Sequence, residues 1–329
     1  MSLYRQVVEA AFEALRIETP TSFSWCGEPT APLPAEAVEQ MGPAAARAYL
    51  CDRLRERLYV GFYCPGRPVP QPPRGGARPH GGSAFIDSLS RANIGTGSRE
   101  GGWRVVLTED DGRIVVQRHG LSLWARPDEV SGEDTAPGAE VSVRMPSELL
   151  RLSPGFYMAL GNQGLRDEDL VRHYWHLSSR GGEALVAAAT RLLNEAELPF
   201  RLKVLIEPEL YSRCDAGVLY TPKRLRSQVA RLLPALRAEV AQHLRPGSPA
   251  LTKPLGDGLG VAEDPPGDDS FGMDRCGLLA EAMVRAFELG LEPGEERVGL
   301  VEGVFEERAV SLDRPYLNAD STDDYELVS

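Results

Sequence analysis

A single lysine, Lys203, interrupts the apolar β-type run Phe200-Arg-Leu-Lys-Val-Leu-Ile206, and Arg213, Asp215 and Tyr220 follow closely. A lysine stem in such a strand can snorkel to solvent, whereas a lysine held in a cleft is a candidate proton acceptor. The second role needs a neutral amine. An ordinary lysine has a pKa of about 10.4, so only about one in a few thousand is neutral at pH 7. Burial and neighbouring positive charge favour the neutral form, and Arg172, Arg213 and Arg275 are the candidate neighbours.

A second constellation lies upstream. In Val171-Arg-His-Tyr-Trp-His-Leu177, strand alternation puts Arg172, Tyr174 and His176 on one face and Val171, His173 and Trp175 on the other. Guanidinium, phenol and imidazole side by side suit an anion-binding site with a proton donor, because imidazole titrates near neutrality. A half-exposed sheet with its polar face outward is the alternative. Downstream, residues 252–275 are rich in Gly, Pro and Asp and read as a long loop over a pocket, adding Lys253 and Arg275 as candidate phosphate ligands. From position 201 to 245, nine Lys/Arg stand against four Asp/Glu. Such an excess is either a solvated basic face or a site for an anionic substrate group.

The rest of the chain narrows the class. A net charge of −12 argues against a general nucleic-acid binder. A hydrophobic content of 42% and a charged content of 26% are those of a soluble globular protein. No stretch reaches the roughly 18 apolar residues of a membrane span, and no signal layout opens the sequence, so a cytoplasmic location is expected. The five cysteines form no CxxC pair, which fits reduced thiols better than a disulfide framework or zinc site. No metal or organic cofactor is expected. The glycines near 92–103 and 252–275 match no P-loop, and kinase signatures are absent.

The elements that must position these residues alternate between two periods. Helices are expected over 3–16, 43–60 and 183–196, with a further helix over 222–243 kinked at Pro234 and begun by Thr221 as cap. A last helix is expected to be capped by Asp274 and to end at Gly290. Strands are expected in a hairpin over 102–126 turning at Asp110-Asp-Gly112, then at 141–145, 171–177, 200–206 and 216–220. Residues 65–82, rich in Pro, Gly and Arg, read as a linker, and 320–329 as a loose acidic tail. The expected fold class is α+β, with a mostly antiparallel sheet packed against helices. Two regions are expected: 1–145, helical with a β-hairpin, and 146–329.

Several motifs resemble the HopA-type effector family, which includes stand-alone members encoded with thioamide and class V lanthipeptide pathways. These are Arg172-x-Tyr174-Trp175, Leu193-Asn194, Pro199-Phe-Arg-Leu-Lys-Val204, Tyr211-x-Arg-x-Asp-x-x-Val-Leu-Tyr220, Ser270-Phe-Gly-x-x-Arg-Cys276 and Arg314-Pro-Tyr-Leu-Asn318. The resemblance covers about 150–320; upstream it is loose, mainly at Ala92-Asn93 and Gly102-Trp103. A more distant likeness is to phosphothreonine lyases of the OspF/SpvC kind, in which a strand lysine acts as base before an arginine and a Leu-Tyr pair. Lys203, Arg213 and Leu219-Tyr220 repeat that order. Where those lyases carry a phosphate-binding lysine and an acid histidine two residues on, this chain has Arg172 and Tyr174, with His176 and His173 nearby.

The resemblance implies a lyase that eliminates phosphate from phospho-Ser or phospho-Thr of a ribosomally made precursor peptide, leaving dehydroalanine or dehydrobutyrine. Lys203 would be the base, His176 in preference to Tyr174 the acid, and Tyr220 a further catalytic group. Arg172, Arg213, Arg275 and Lys253 would hold phosphate. A separate Ser/Thr peptide kinase would supply the phosphopeptide; nucleic acid and membrane are not expected partners. Two alternatives remain at this stage: a non-catalytic scaffold that binds peptide or activates the kinase, and an effector-like interaction protein.

Overall fold

A computed structural model of the chain describes residues 3–31, 33–65, 83–150, 153–165, 169–292 and 294–328. The expected linker at 65–82 lies almost wholly outside the described residues. The remainder is an α+β fold in which every paired strand is antiparallel.

The amino-terminal part opens with α1 (Leu3–Ala14), which buries Val8, Ala11 and Phe12, and continues into the small sheet β1 (Leu15–Thr19), β2 (Ser22–Trp25) and β3 (Glu28–Pro29). After α2 (Ala35–Gln40), α3 (Pro43–Leu58) starts with proline at its first turn and buries Ala46, Leu50, Leu54 and Leu58 at four-residue spacing. A π-helical turn, Tyr59–Tyr63, continues it, and α4 (Ser83–Ala92) follows.

Next come β4 (Arg99–Thr108), β5 (Ile114–Arg118), β6 (Leu121–Ala125), β7 (Val130–Ser131) and β8 (Glu140–Arg144). They form a five-stranded sheet with its own core around Trp103, Val116, Val141 and Val143. The expected hairpin turn holds: Gly112 at φ +84° donates its N–H to Glu109 O at 2.9 Å.

The larger sheet contains β9 (Glu148–Leu149), β10 (Phe156–Leu160), β11 (Leu170–Trp175), β12 (Arg201–Leu205), β13 (Gly217–Pro222), β14 (Lys253–Gly256) and β15 (Leu259–Glu263). Their spatial order is β14-β15-β11-β13-β12-β10-β9. Two helices, α5 (Ser179–Glu195) and α6 (Arg226–Val240), pack on one face, against strands that carry Leu202, Val204, Gly217 and Leu219 there. The opposite face meets the π-helical turn and α7 (Phe271–Glu288), which α8 (Glu295–Glu306) flanks. The main core is continuous from α1, β2 and α3 through this sheet to the carboxy-terminal segment.

Four local expectations are corrected. Thr221 and Pro222 do not begin a helix: they end β13, paired with Val171 and Leu170, and α6 starts at Arg226 after a 3-10 turn. Cross-strand pairing there overrides the local cap signal. Ser270, not Asp274, caps α7, its Oγ accepting from Met273 N. Residues 252–275 do not form one long loop. Gly258 at φ +71° turns a hairpin whose second strand, β15, is wholly buried beside β11, and Gly260 has no room for a Cβ, which would lie 2.7 Å from Ser248. Finally, the acidic carboxy-terminal segment is pinned rather than loose: Asp323 accepts from Lys253, Tyr325 donates to buried Glu263, and Val328 N donates to Leu255 O.

Candidate active site

Register places the chemistry on one sheet face. Lys203 pairs with Val218, and Val218 with Tyr174, so these three form one cross-strand row. In the adjacent row Arg201 pairs with Tyr220 and Tyr220 with Arg172. All six side chains therefore project from the face opposite α5 and α6. Lys203 Nζ stands 4.7 Å from the ring centroid of Phe156 and 5.5 Å from that of Tyr220. No carboxylate pairs with it among the described residues. Half-buried between two rings, its amine is left open to a ligand.

The arginines flank this lysine. The Arg172 guanidinium lies 5.1 Å from the Tyr220 ring, so it and the Lys203 amine approach one phenol. Arg172 is buried, ion-paired with Asp264 through Nη2, and its Nε has no hydrogen-bond partner among the described residues. Burial opposes its charge, but Tyr174, Tyr220 and Asp264 outweigh that, so it stays a cation. Tyr174 is also buried; its hydroxyl makes no hydrogen bond of good geometry, although Tyr63 and Arg172 stand beside it. Burial raises its pKa, keeping the phenol protonated and able to donate.

Arg213 arrives on the connection between β12 and β13. Tyr211 Oη donates to Leu205 O at 2.8 Å and Arg213 N to Leu210 O at 3.1 Å, which closes that connection on itself. Arg213 Nε and Nη2 grip Asp215 Oδ1 and Oδ2, each at 2.7 Å, and the guanidinium lies 5.5 Å from the Phe156 ring. Phe156 thus receives both Lys203 and Arg213. Burial disfavours the Asp215 carboxylate, but Arg213, Cys64 and Lys203 hold its pKa below the ordinary value.

The other candidates sit elsewhere. His176 lies beyond the last paired residue of β11, its Nδ1 2.9 Å from Pro246 O, and burial with Arg245 nearby lowers its pKa. His173 points to the helix-covered face and is buried, with its pKa pushed down to about 4. Arg275 is buried; its Nε donates to Pro315 O at 2.8 Å and its Nη2 to Leu317 O at 3.1 Å, and Nη1 pairs with Asp274. Lys253 shares a face with Val261 and His173, opposite Lys203, and donates to Asp323 and Tyr325 O. The structure therefore brings Lys203, Tyr174, Tyr220, Arg172 and Arg213 together and engages Arg275 and Lys253 in holding the carboxy-terminal segment.

Sequence reasoning missed Phe156, Asp264, Tyr63 and Cys64. Tyr63 packs on the amino terminus of α7, where a Cβ on Gly272 would come 2.3 Å from its ring. The Gly272 of the Ser270-Phe-Gly motif was the available signal for that close approach. Among the described residues, no group of His, Cys, Asp or Glu could hold a metal ion, and no helix is long and apolar enough to cross a membrane.

Comparison with known proteins agrees with the motif resemblance. No curated protein matches the chain. Similar solved structures include two effector proteins of Pseudomonas syringae. That of pathovar tomato strain DC3000 is 16% identical with a TM-score of 0.48, covering 83% of this chain and 95% of its own. That of pathovar syringae strain 61 has the same identity and score, covering 96% of each chain. The model of the HopA1 effector protein family matches residues 145–317, more than half of the chain and the whole of the large sheet. The protein belongs to the HopA1 effector protein family.

Proposed function

We propose that the protein is a lyase that removes phosphate from phosphoserine or phosphothreonine in a peptide by β-elimination. The observation that carries this reading is Lys203, held between Phe156 and Tyr220 with no carboxylate partner among the described residues, in a row with Tyr174 and flanked by Arg172 and Arg213. The motif likeness to phosphothreonine lyases supports the same roles.

In this mechanism the phosphate lies against Arg172 Nε and Arg213 Nη1, the nitrogen that Asp215 leaves unengaged, both charge-assisted donors. The Lys203 amine takes the Cα proton. The C–H electrons become the Cα=Cβ bond, the Cβ–O bond breaks, and phosphate departs with the proton of the Tyr174 hydroxyl on its leaving oxygen. Solvent then takes the proton from Lys203 and reprotonates Tyr174. Tyr174 suits the donor role better than His176, because it shares the row of Lys203 and its hydroxyl is buried and protonated. The products are dehydroalanine and dehydrobutyrine.

A ribosomally made precursor peptide phosphorylated by a separate kinase is the substrate this reading favours, within lanthipeptide or thioamide maturation. Mass spectrometry of a synthetic phosphothreonine peptide incubated with the protein alone tests it. Loss of phosphoric acid is expected; recovery of intact phosphopeptide overturns the lyase and leaves a binding or kinase-activating role.

A further inference from the structure

We propose that Asp215 is the positioning residue of the phosphate subsite and that Cys64, delivered by the amino-terminal segment, completes its setting. The proposal rests on the lyase reading for the identity of the bound group. A free arginine side chain explores many rotamers, and ordering it on a ligand costs affinity. Asp215 removes that freedom. Its two oxygens take Arg213 Nε and Nη2 at 2.7 Å each, fixing the guanidinium in its own plane. The Phe156 ring lies beside it, its centroid 5.5 Å from the guanidinium carbon. What remains is Nη1, the nitrogen not engaged by Asp215, on a guanidinium that approaches the same Phe156 ring as Lys203 does.

Asp215 is in turn fixed from outside the family-matched region. Cys64 Sγ donates to Asp215 Oδ1 at 3.1 Å, and Cys214 Sγ donates to Cys64 Sγ at 3.6 Å. Tyr63, next to Cys64, has its carbonyl bonded by Ala250 N at 2.9 Å and its ring against Gly272. The order is therefore Cys214, Cys64, Asp215, Arg213, phosphate, with each group setting the next. All four side chains are buried, so this chain of contacts is part of the built site rather than a surface accident.

Electrostatics alone and positioning predict opposite signs, which makes the idea decidable. Asp215 is an anion near a bound anion, so by Coulomb's law its neutralisation should tighten phosphopeptide binding. If Asp215 acts by holding Arg213, neutralisation weakens it. The test uses Lys203→Ala protein, which is expected to consume substrate far more slowly, and calorimetric titration with a phosphothreonine peptide and its unphosphorylated counterpart.

Adding Asp215→Asn is expected to weaken the phosphopeptide about tenfold, the size of one charge-assisted hydrogen bond, and to leave the unphosphorylated peptide unchanged. Adding Cys64→Ala instead is expected to weaken the phosphopeptide by a smaller factor, and Asp215→Glu to restore part of the loss. Unchanged or tighter phosphopeptide binding in Asp215→Asn overturns the proposal, as does an equal loss for both peptides. If Asp215→Asn does not fold, Cys64→Ala and Asp215→Glu carry the same comparison, and no selective loss in either overturns it. A Lys203→Ala protein that fails to prefer the phosphopeptide also overturns it. Elimination by the unsubstituted protein is scored separately: absent turnover with phosphate-selective binding sinks the lyase and leaves the Asp215 role standing.

Discussion

Lys203 Nζ stands 5.5 Å from the centre of the Tyr220 ring, a diagonal contact between the adjacent strands β12 and β13. Arg172, from β11 on the other side of Tyr220, approaches the same ring at 5.1 Å. The phenol thus stands between the lysine proposed as base and the arginine proposed to hold phosphate.

Replacing the base is the most direct test of that division. Lys203→Ala is expected to lower elimination from a phosphothreonine peptide by about 10²- to 10⁴-fold, the usual contribution of a positioned general base. Phosphopeptide should accumulate in a coupled reaction with the kinase. Because the amine has no ion pair among the described residues, thermal unfolding should barely move. Undiminished turnover would remove Lys203 from the mechanism.

Two substitutions decide the proton donor. Tyr174→Phe should reduce kcat with little change in KM, since the hydroxyl acts on the leaving oxygen, while His176→Gln should leave both near their starting values. Steady-state kinetics with one phosphopeptide checks this, and the reverse pattern would assign the acid to His176.

Arg275 is expected to act on stability instead of on phosphate. Its guanidinium satisfies the carbonyls of Pro315 and Leu317 from a buried position. Arg275→Met leaves both acceptors unpaired and should cost about 3 kcal/mol, read from denaturant unfolding. KM of the folded fraction should not change. A selective rise in KM would return Arg275 to the phosphate site.

His173 makes stability depend on pH. Its pKa falls from an ordinary 6.5 to about 4 because burial disfavours the imidazolium. Above pH 6.5 both folded and unfolded states hold it neutral, so it contributes no pH dependence. Between pH 6.5 and 4 the unfolded state binds the proton first, and stability falls as pH falls, by on the order of 3 kcal/mol in all. Unfolding free energies over that window should show the slope, and His173→Leu should flatten it. An unchanged slope would mean that other groups cause it.

Much of the larger sheet was legible in local pattern. Alternation placed Arg172 and Tyr174 on one face, and the apolar run around Lys203 marked β12, because a strand half-covered by helices must alternate. The failures fell where long-range pairing outvotes local chemistry. Thr221 and Pro222 carry a helix-start signal but are claimed by β11, and the glycine-rich stretch at 252–263 became a hairpin because β11 offered an open edge.

Residue type and alternation were enough to name the groups that could carry charge and protons and to put Lys203, Arg172 and Tyr174 on strands. Which of them meet depends on strand order and packing. Strand order places β13 between β11 and β12, so Tyr220 stands between Arg172 and Lys203, whereas Lys253 falls on the opposite face and Arg275 is consumed by the carboxy-terminal segment. The bracing of Arg213 by Asp215 could be read from two nearby positions, but Cys64 and Tyr63 could not. Their contacts join segments far apart in the chain, and such pairings follow from which surfaces bury together, not from any local period.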